Sequence, residues 1–209
     1  VDDRRDHSFR IPRPDLTGKI GTPNACANCH ADMEPTAAVA AIEGWRGPDG
    51  AAPRPHFAAA IDAARHGFAN DQLREVAGND DYPGIAQATA VSLLSQPFAS
   101  SDFRLLEAEL GSSDPVVRIA ALRTLRSLPA ELRIRLPGTG LLADSVRGVR
   151  IEAAAAYAGM SDLLPLEDAR AFGGAAADLR TAYESLAYRP EALVGLATFE
   201  TCEGDVKKA

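Results

Sequence analysis

Two cysteines and a histidine form the most informative short pattern in the chain, Cys26-Ala27-Asn28-Cys29-His30. Two thiols three residues apart on one turn can reach the two vinyl groups on one edge of a porphyrin and form thioethers with them. The adjacent imidazole of His30 then lies beneath the iron and supplies its proximal nitrogen ligand. The pattern therefore predicts one covalently bound c-type haem, attached through Cys26 and Cys29 and ligated by His30.

Two other uses of paired cysteines fit the sequence less well. A zinc site usually takes four protein ligands, and no second C-x-x-C or H-x-H pair accompanies this one. A thioredoxin-like dithiol follows a β-strand, and the residues on either side of the pair have no strand pattern. The third cysteine, Cys202, lies almost at the end of the sequence and is expected to be a packing residue.

The ligand on the opposite face of the iron decides whether the haem only carries electrons or also binds small molecules. His7 is the first candidate for this distal position. It lies in a polar run that Pro12 and Pro14 are expected to keep from becoming helix, and such a strap can fold back over a haem. An exposed loop histidine is the alternative interpretation. His56, at a predicted helix start, is a weaker candidate ligand.

Other residues near the motif have simpler explanations. His66 precedes a glycine at a predicted helix C-terminus, where the helix dipole favours an imidazolium. Met33 is too close to His30 to reach the opposite face, and Met160 is expected to pack at a helix end. A local basic cluster is expected either to pair with the haem propionates or to be solvated; it comprises Arg4, Arg5, Arg10, Arg13 and Lys19.

The overall composition excludes some classes of function. The net charge of −7 argues against a surface that follows nucleic-acid phosphates. The apolar stretches are far shorter than the roughly 18 residues of a membrane span. The sequence starts at Val1 without an apolar leader, so we expect any secretion signal to have been removed or to lie upstream.

The spacing of apolar residues predicts an all-α fold in four parts. Residues 1–34 are rich in proline and charge and are expected to be an irregular haem-binding segment. Residues 35–78 are expected to form short helices that pack on that segment. Residues 79–187 are expected to form HEAT-like helical repeats, and residues 188–209 a truncated helical hairpin.

The repeat prediction rests on an offset of 32 residues in the middle of the chain. At this offset three sets of residues coincide: Ile85 with Val117 and Val149, Leu93 with Leu125 and Tyr157, and Arg118 with Arg150. Two-helix units of this length with alanine at their contacts are typical of a HEAT-type solenoid, and an irregular alanine-rich bundle is the alternative.

A family resemblance adds to these patterns. The runs Asp6 to Leu16 and Gly21 to His30, together with Arg54-Pro55-His56-Phe57, resemble the last haem-binding segment of bacterial multihaem c-type cytochromes that carry C-terminal HEAT-like and tetratricopeptide repeats. Residues from 189 onward look like the first tetratricopeptide unit of that family. In the family further C-x-x-C-H motifs precede this segment, whereas this sequence has one.

The resemblance implies electron transfer in the bacterial periplasm or outside the cell. It implies redox partner proteins or further haem-bearing segments, and it makes His7 a motif histidine that ligates iron. We expect an electron carrier rather than a catalyst. The alternatives are part of a multihaem reductase of small nitrogen or sulfur species, and a protein-interaction module in which the haem is a structural pin.

Overall fold

The computed structural model describes residues 12–47, 56–67 and 69–204. Every regular element in these ranges is a helix, which confirms the predicted all-α class. The α-helices are α1 (Pro14–Ile20), α2 (Pro35–Arg46), α3 (Phe57–His66), α4 (Asn70–Ala77), α5 (Gly84–Ser92), α6 (Ser100–Leu110), α7 (Pro115–Arg126), α8 (Ala130–Arg133), α9 (Arg147–Ala156), α10 (Leu166–Ser185) and α11 (Pro190–Cys202). Short 3-10 helices cover Ala25–Asn28, Thr139–Ala143 and Ser161–Leu163. Among the described helices, none has the length and apolar character needed to span a bilayer.

The chain divides into two compact units, residues 1–62 and 63–209, with the division inside α3. In the first unit α1 packs against α2. A proline opens each of these helices at its first position, where the missing amide costs nothing. Gly21 ends α1 in the left-handed conformation, with φ of 68°.

Helix α1 differs from the expectation of an irregular segment over residues 1–34. Pro14 occupies the first helical position, where its fixed φ suits a helix. The run around His7, which Pro12 and Pro14 are predicted to keep from becoming helix, lies outside the described residues. The helix then buries Pro14 and Leu16, and the basic Lys19 lies in its last turn, where the helix dipole favours a cation.

In the second unit a row of helices forms the core. Helix α5 packs against α7, α7 against α9, and α9 against α10. Helix α4 packs against α5, α6 packs against α7, and α11 packs against α10. Helix α4, which the sequence groups with residues 35–78, therefore makes its contacts with α5 and α6. The order of contacts along the chain is that of stacked two-helix units; their identification as HEAT-like repeats stays a prediction.

The two arginines of the predicted repeat occupy equivalent positions. Arg118 donates to the carbonyls of residues 112 and 113 and pairs with Asp144 of the following unit. Arg150 donates to the carbonyls of residues 144 and 145 and pairs with Asp178. Both side chains thus tie the loop before their own helix to the next helical unit, so the 32-residue offset is correct between α7 and α9.

The same offset is wrong between α5 and α7. Val117 and Val149 are fully buried, but Ile85, predicted to match them, is 67% exposed. An offset of 31 instead aligns the buried Ala86 with Val117, and the buried Leu94 with Leu125. One residue fewer in the connection rotates the apolar face by about 100°, which places Ile85 towards solvent.

Helix α10 is the element that the sequence did not indicate. Its centre contains Gly173 and Gly174, and each glycine in a helix costs about 1 kcal/mol relative to alanine. Tertiary packing compensates, because the helix buries Phe172, Ala175 and Leu179 and packs against α9. Its start carried a usable signal, a proline at the N-cap followed by acidic residues in the first turn.

Candidate haem-attachment site

The C-x-x-C-H run folds into one hydrogen-bonded turn. The amides of Cys29 and His30 both donate to the carbonyl of Cys26, at 3.2 and 2.9 Å. These bonds join residues three and four apart, which are neighbours on one side of a helical turn. The backbone therefore brings Cys26, Cys29 and His30 together in one turn.

The functional groups of this turn are accessible. Cys29 and His30 are exposed and Cys26 is half-buried. All three cysteines of the chain lie in its described part, and each is a free thiol. Within the described ranges no three His, Cys, Asp or Glu side chains gather closely enough to hold a metal ion. The two thiols and the imidazole thus do not converge on one point.

This arrangement suits a porphyrin better than a bare ion. Attachment to a porphyrin needs two separate bonds to the ring edge and one nitrogen beneath the iron, and the macrocycle itself supplies the other equatorial ligands. It also needs room above the turn, which the exposure of Cys29 and His30 provides. The residues present therefore fit a c-type haem.

The turn lies in the connection between α1 and α2, and the two helices fix its ends. Gly18 of α1 lies beside Pro35, the first residue of α2: a Cβ built on Gly18 would be 3.9 Å from the proline Cβ. Leu16 and Ala38 are buried in this pair, at 6% and 2% exposed. The motif is thus held at one end of a small helical pair rather than inside a core.

His56 has a local role that the sequence did not reveal. Its Nδ1 accepts a hydrogen bond from the amide of Ala58 at 3.1 Å, so the imidazole caps the start of α3. Burial lowers the pKa of His56 below its usual value, and the nearby charge of Arg13 lowers it further, while Asp15 opposes the shift. Both effects favour the neutral ring, which is the form that can accept this bond.

The cap conflicts with the role of His56 as a distal ligand. A neutral ring whose Nδ1 accepts a hydrogen bond carries its proton on Nε2. Iron needs a nitrogen lone pair, so ligation through Nε2 would move that proton to Nδ1, opposite the Ala58 amide. Ligation through Nδ1 would use the same lone pair as the cap. Either route breaks the hydrogen bond at the start of α3.

The other candidates for the iron fall in different places. His7 lies outside the described residues. His66 is exposed at the C-terminal end of α3, as predicted. Met160 is 4% exposed, which confirms its packing role. Met33 is half-buried, and its amide donates to the carbonyl of His30, so the turn continues towards α2.

Arg13 is already paired within α1. Its guanidinium makes two hydrogen bonds to the carboxylate of Asp15, at 2.8 and 2.7 Å. The pair raises the pKa of Arg13 and lowers that of Asp15. A haem propionate would therefore compete with Asp15 for this side chain. Lys19 is exposed, and the rest of the predicted basic cluster (Arg4, Arg5 and Arg10) lies outside the described residues.

Cys202 does not pack as predicted. Its side chain is exposed near the end of α11, and its carbonyl lies against Gly159. A Cβ built on Gly159 would come within 2.7 Å of that oxygen, so the close approach needs a glycine there. The thiol of Cys202 is thus accessible.

A shallow groove in the first unit was not predicted. Its apolar lining comes from Pro12, Pro14, Val39 and Ile42, and charged residues border it. The single tryptophan of the chain, Trp45, lies further along α2, the helix that contains Val39 and Ile42, and is 82% exposed.

Comparison of the chain with protein-family models, with curated proteins and with solved structures finds no match.

Proposed function

We propose that the chain is an electron-transfer c-type cytochrome, or a segment of one, with a single haem bound through Cys26 and Cys29 and ligated by His30. The observation that carries the proposal is the one hydrogen-bonded turn that joins Cys26, Cys29 and His30, with Cys29 and His30 exposed. The resemblance to multihaem cytochromes with helical repeats, which extends beyond the C-x-x-C-H run, also supports it.

The residues of the turn have two different roles towards a haem, attachment of the ring and ligation of the iron. The sulfurs of Cys26 and Cys29 would tether the ring through two thioethers and prevent its loss, and the imidazole of His30 would donate a nitrogen lone pair to the iron. When bound, the haem supplies a one-electron redox centre. The helical pair α1–α2 holds the ends of the turn, so that the three side chains keep their relative positions.

Electron transfer suits the exposure of the site. Cys29 and His30 lie at the surface, so the edge of an attached ring would be open to a redox partner protein or to a further haem-bearing segment. Electron carriers need such an approach, because their partners exchange electrons without entering a pocket. We place this activity in the bacterial periplasm or outside the cell, which rests on the family resemblance.

The mass of the purified protein tests the proposal. The chain is exported in a bacterial host that has the c-type maturation machinery, and we expect a gain of one haem mass that survives denaturation. Changing Cys26 and Cys29 to serine should abolish this covalent gain. Changing Cys202 to serine is the matched control and should leave it intact. An unmodified wild-type mass would contradict the proposal.

The visible spectrum separates an electron carrier from a haem enzyme. A six-coordinate low-spin spectrum that carbon monoxide leaves unchanged supports a carrier, because both axial positions are then filled by the protein. A high-spin spectrum that changes with carbon monoxide would instead indicate an open iron position and favour the reductase alternative.

A further inference from the structure

We infer that Asn24 is a positioning residue that holds the Cys26-to-His30 turn in its haem-attaching form. Its side-chain Oδ1 accepts a hydrogen bond from the amide of Cys26 at 3.1 Å. Its own carbonyl accepts from the amide of Ala27, also at 3.1 Å. The inference rests on the proposed function, and it assigns a role to a residue outside the C-x-x-C-H pattern.

The backbone of Asn24 supports this role. Its φ and ψ of −110° and 118° are extended, while the following residues are helical, which is the conformation of an N-cap. The first amides of a helical turn have no partner inside it, and asparagine is among the best residues at supplying one. Asn24 therefore begins the turn and satisfies the amide of the first attaching cysteine.

So short a turn depends on its cap. The 3-10 helix has four residues, and starting a helix is unfavourable because several dihedral angles are fixed for each hydrogen bond gained. Helices α1 and α2 fix residues 20 and 35 at the two ends, but they leave the intervening backbone to its own hydrogen bonds. Without the Oδ1 acceptor the Cys26 amide loses its partner and the turn opens more often.

Opening of the turn matters for the covalent step. In that step each thiol adds across one vinyl double bond: sulfur bonds to the vinyl carbon next to the ring, and the thiol proton goes to the terminal carbon. No electrons are gained or lost overall, so no oxidant or reductant is consumed. Both additions need the two thiols within reach of the same ring, and the closed turn holds Cys26 and Cys29 close together in the chain.

The test measures the rate of thioether formation by mass, with the full apo chain and reduced haem under thiol-reducing conditions. Loss of an N-cap acceptor shifts the equilibrium between the closed and the open turn about fivefold towards the open form, so we expect Asn24→Ala to slow attachment by at most about fivefold. Asn24→Asp keeps the acceptor and should restore a rate near that of the wild type. Asn79→Ala is the matched control, since Asn79 also accepts from a backbone amide but lies in the second unit.

A second readout follows the turn without haem. Amide hydrogen exchange of Cys29 and His30 in the apo chain should be about fivefold faster in Asn24→Ala and normal in Asn24→Asp. Equal attachment rates in the wild type and Asn24→Ala, or equal slowing by Asn24→Ala and Asn24→Asp, would overturn the role of Asn24 alone. Failure of the wild type to form any thioether would overturn the proposed function and this role with it.

Discussion

Replacing His56 by asparagine separates its two conceivable roles, since asparagine can accept the Ala58 amide bond but is a poor iron ligand. The structure assigns the imidazole to the start of α3, with 3.1 Å between Nδ1 and the amide nitrogen. We therefore expect His56→Asn to leave the visible spectrum of the haem-loaded protein unchanged, in both oxidation states and with carbon monoxide. His56→Ala should leave the spectrum unchanged as well.

The magnitude of the structural effect follows from the cap. Removing an N-cap acceptor costs typically about 1 kcal/mol, and replacing it with asparagine restores most of this. Helix α3 has ten residues and buries only Ala60 among its described side chains, so little packing masks the loss. Amide exchange in the first turn of α3 should therefore be about fivefold faster in His56→Ala. In His56→Asn it should remain near that of the wild type.

The two measurements together can refute the assignment. If His56→Asn changes a low-spin spectrum to a high-spin one that responds to carbon monoxide, the imidazole ligates iron and the cap has been misjudged. If His56→Ala leaves amide exchange in α3 unaltered, the hydrogen bond from the Ala58 amide does not stabilise the start of the helix. The proton on Nε2 then gives no reason against ligation of iron by His56. His7→Ala, examined in the same way, reports separately on the ligand that the family resemblance implies.

Two further predictions concern the second unit. Glu109 is 8% exposed, and burial together with the nearby charge of Asp80 raises its pKa above the usual 4.5. Ionisation of this carboxyl group therefore lowers the stability of the fold as pH rises. We expect Glu109→Gln to raise Tm at pH 7, and we expect this gain to vanish as pH falls towards 4. A gain that is the same at all pH values would contradict this. Leu125→Ala should lower the free energy of unfolding in denaturant by about 2–5 kcal/mol. Ile85→Ala, on the exposed side of α5, should change it by about 0.5 kcal/mol or less. Equal losses would show that the 31-residue alignment of α5 with α7 is wrong.

Local signals in the sequence can mark where a helix begins. Asp114 and Pro115 predicted the cap and first turn of α7, and the Asp114 carboxylate accepts from the amide of Val116 as that signal requires. Such signals fail where packing overrides them. Gly173 and Gly174 concealed α10, because the contacts that stabilise its centre come from residues distant in sequence. The 32-residue repeat of apolar residues likewise does not reveal that the connection between α5 and α7 is one residue shorter.

Some features of the candidate site could likewise be predicted from neighbouring residues in the sequence, and others could not. The spacing of Cys26, Cys29 and His30 is a property of the sequence, and the turn that joins them is local as well. The role of His56 was hidden, because the preceding prolines predicted a helix start but not which atom of the imidazole would cap it. The pairing of Arg13 with Asp15 was hidden because the sequence predicted an irregular segment there, whereas Arg13 lies at the N-cap of α1 and Asp15 in its first turn.

Each of the two units is stabilised internally in a different way, and this difference bears on the proposed cofactor. In the second unit apolar side chains are buried in α4–α7 and α9–α11, so a continuous core stabilises it. Among the described residues of 1–62, the buried apolar side chains are Pro14, Leu16, Ala38 and Ala60, two of which are alanines. Small units with so little buried area usually depend on a disulfide, a metal or a cofactor. A covalently attached porphyrin would add a large apolar surface at the turn between α1 and α2, where the described part of this unit has the least core of its own.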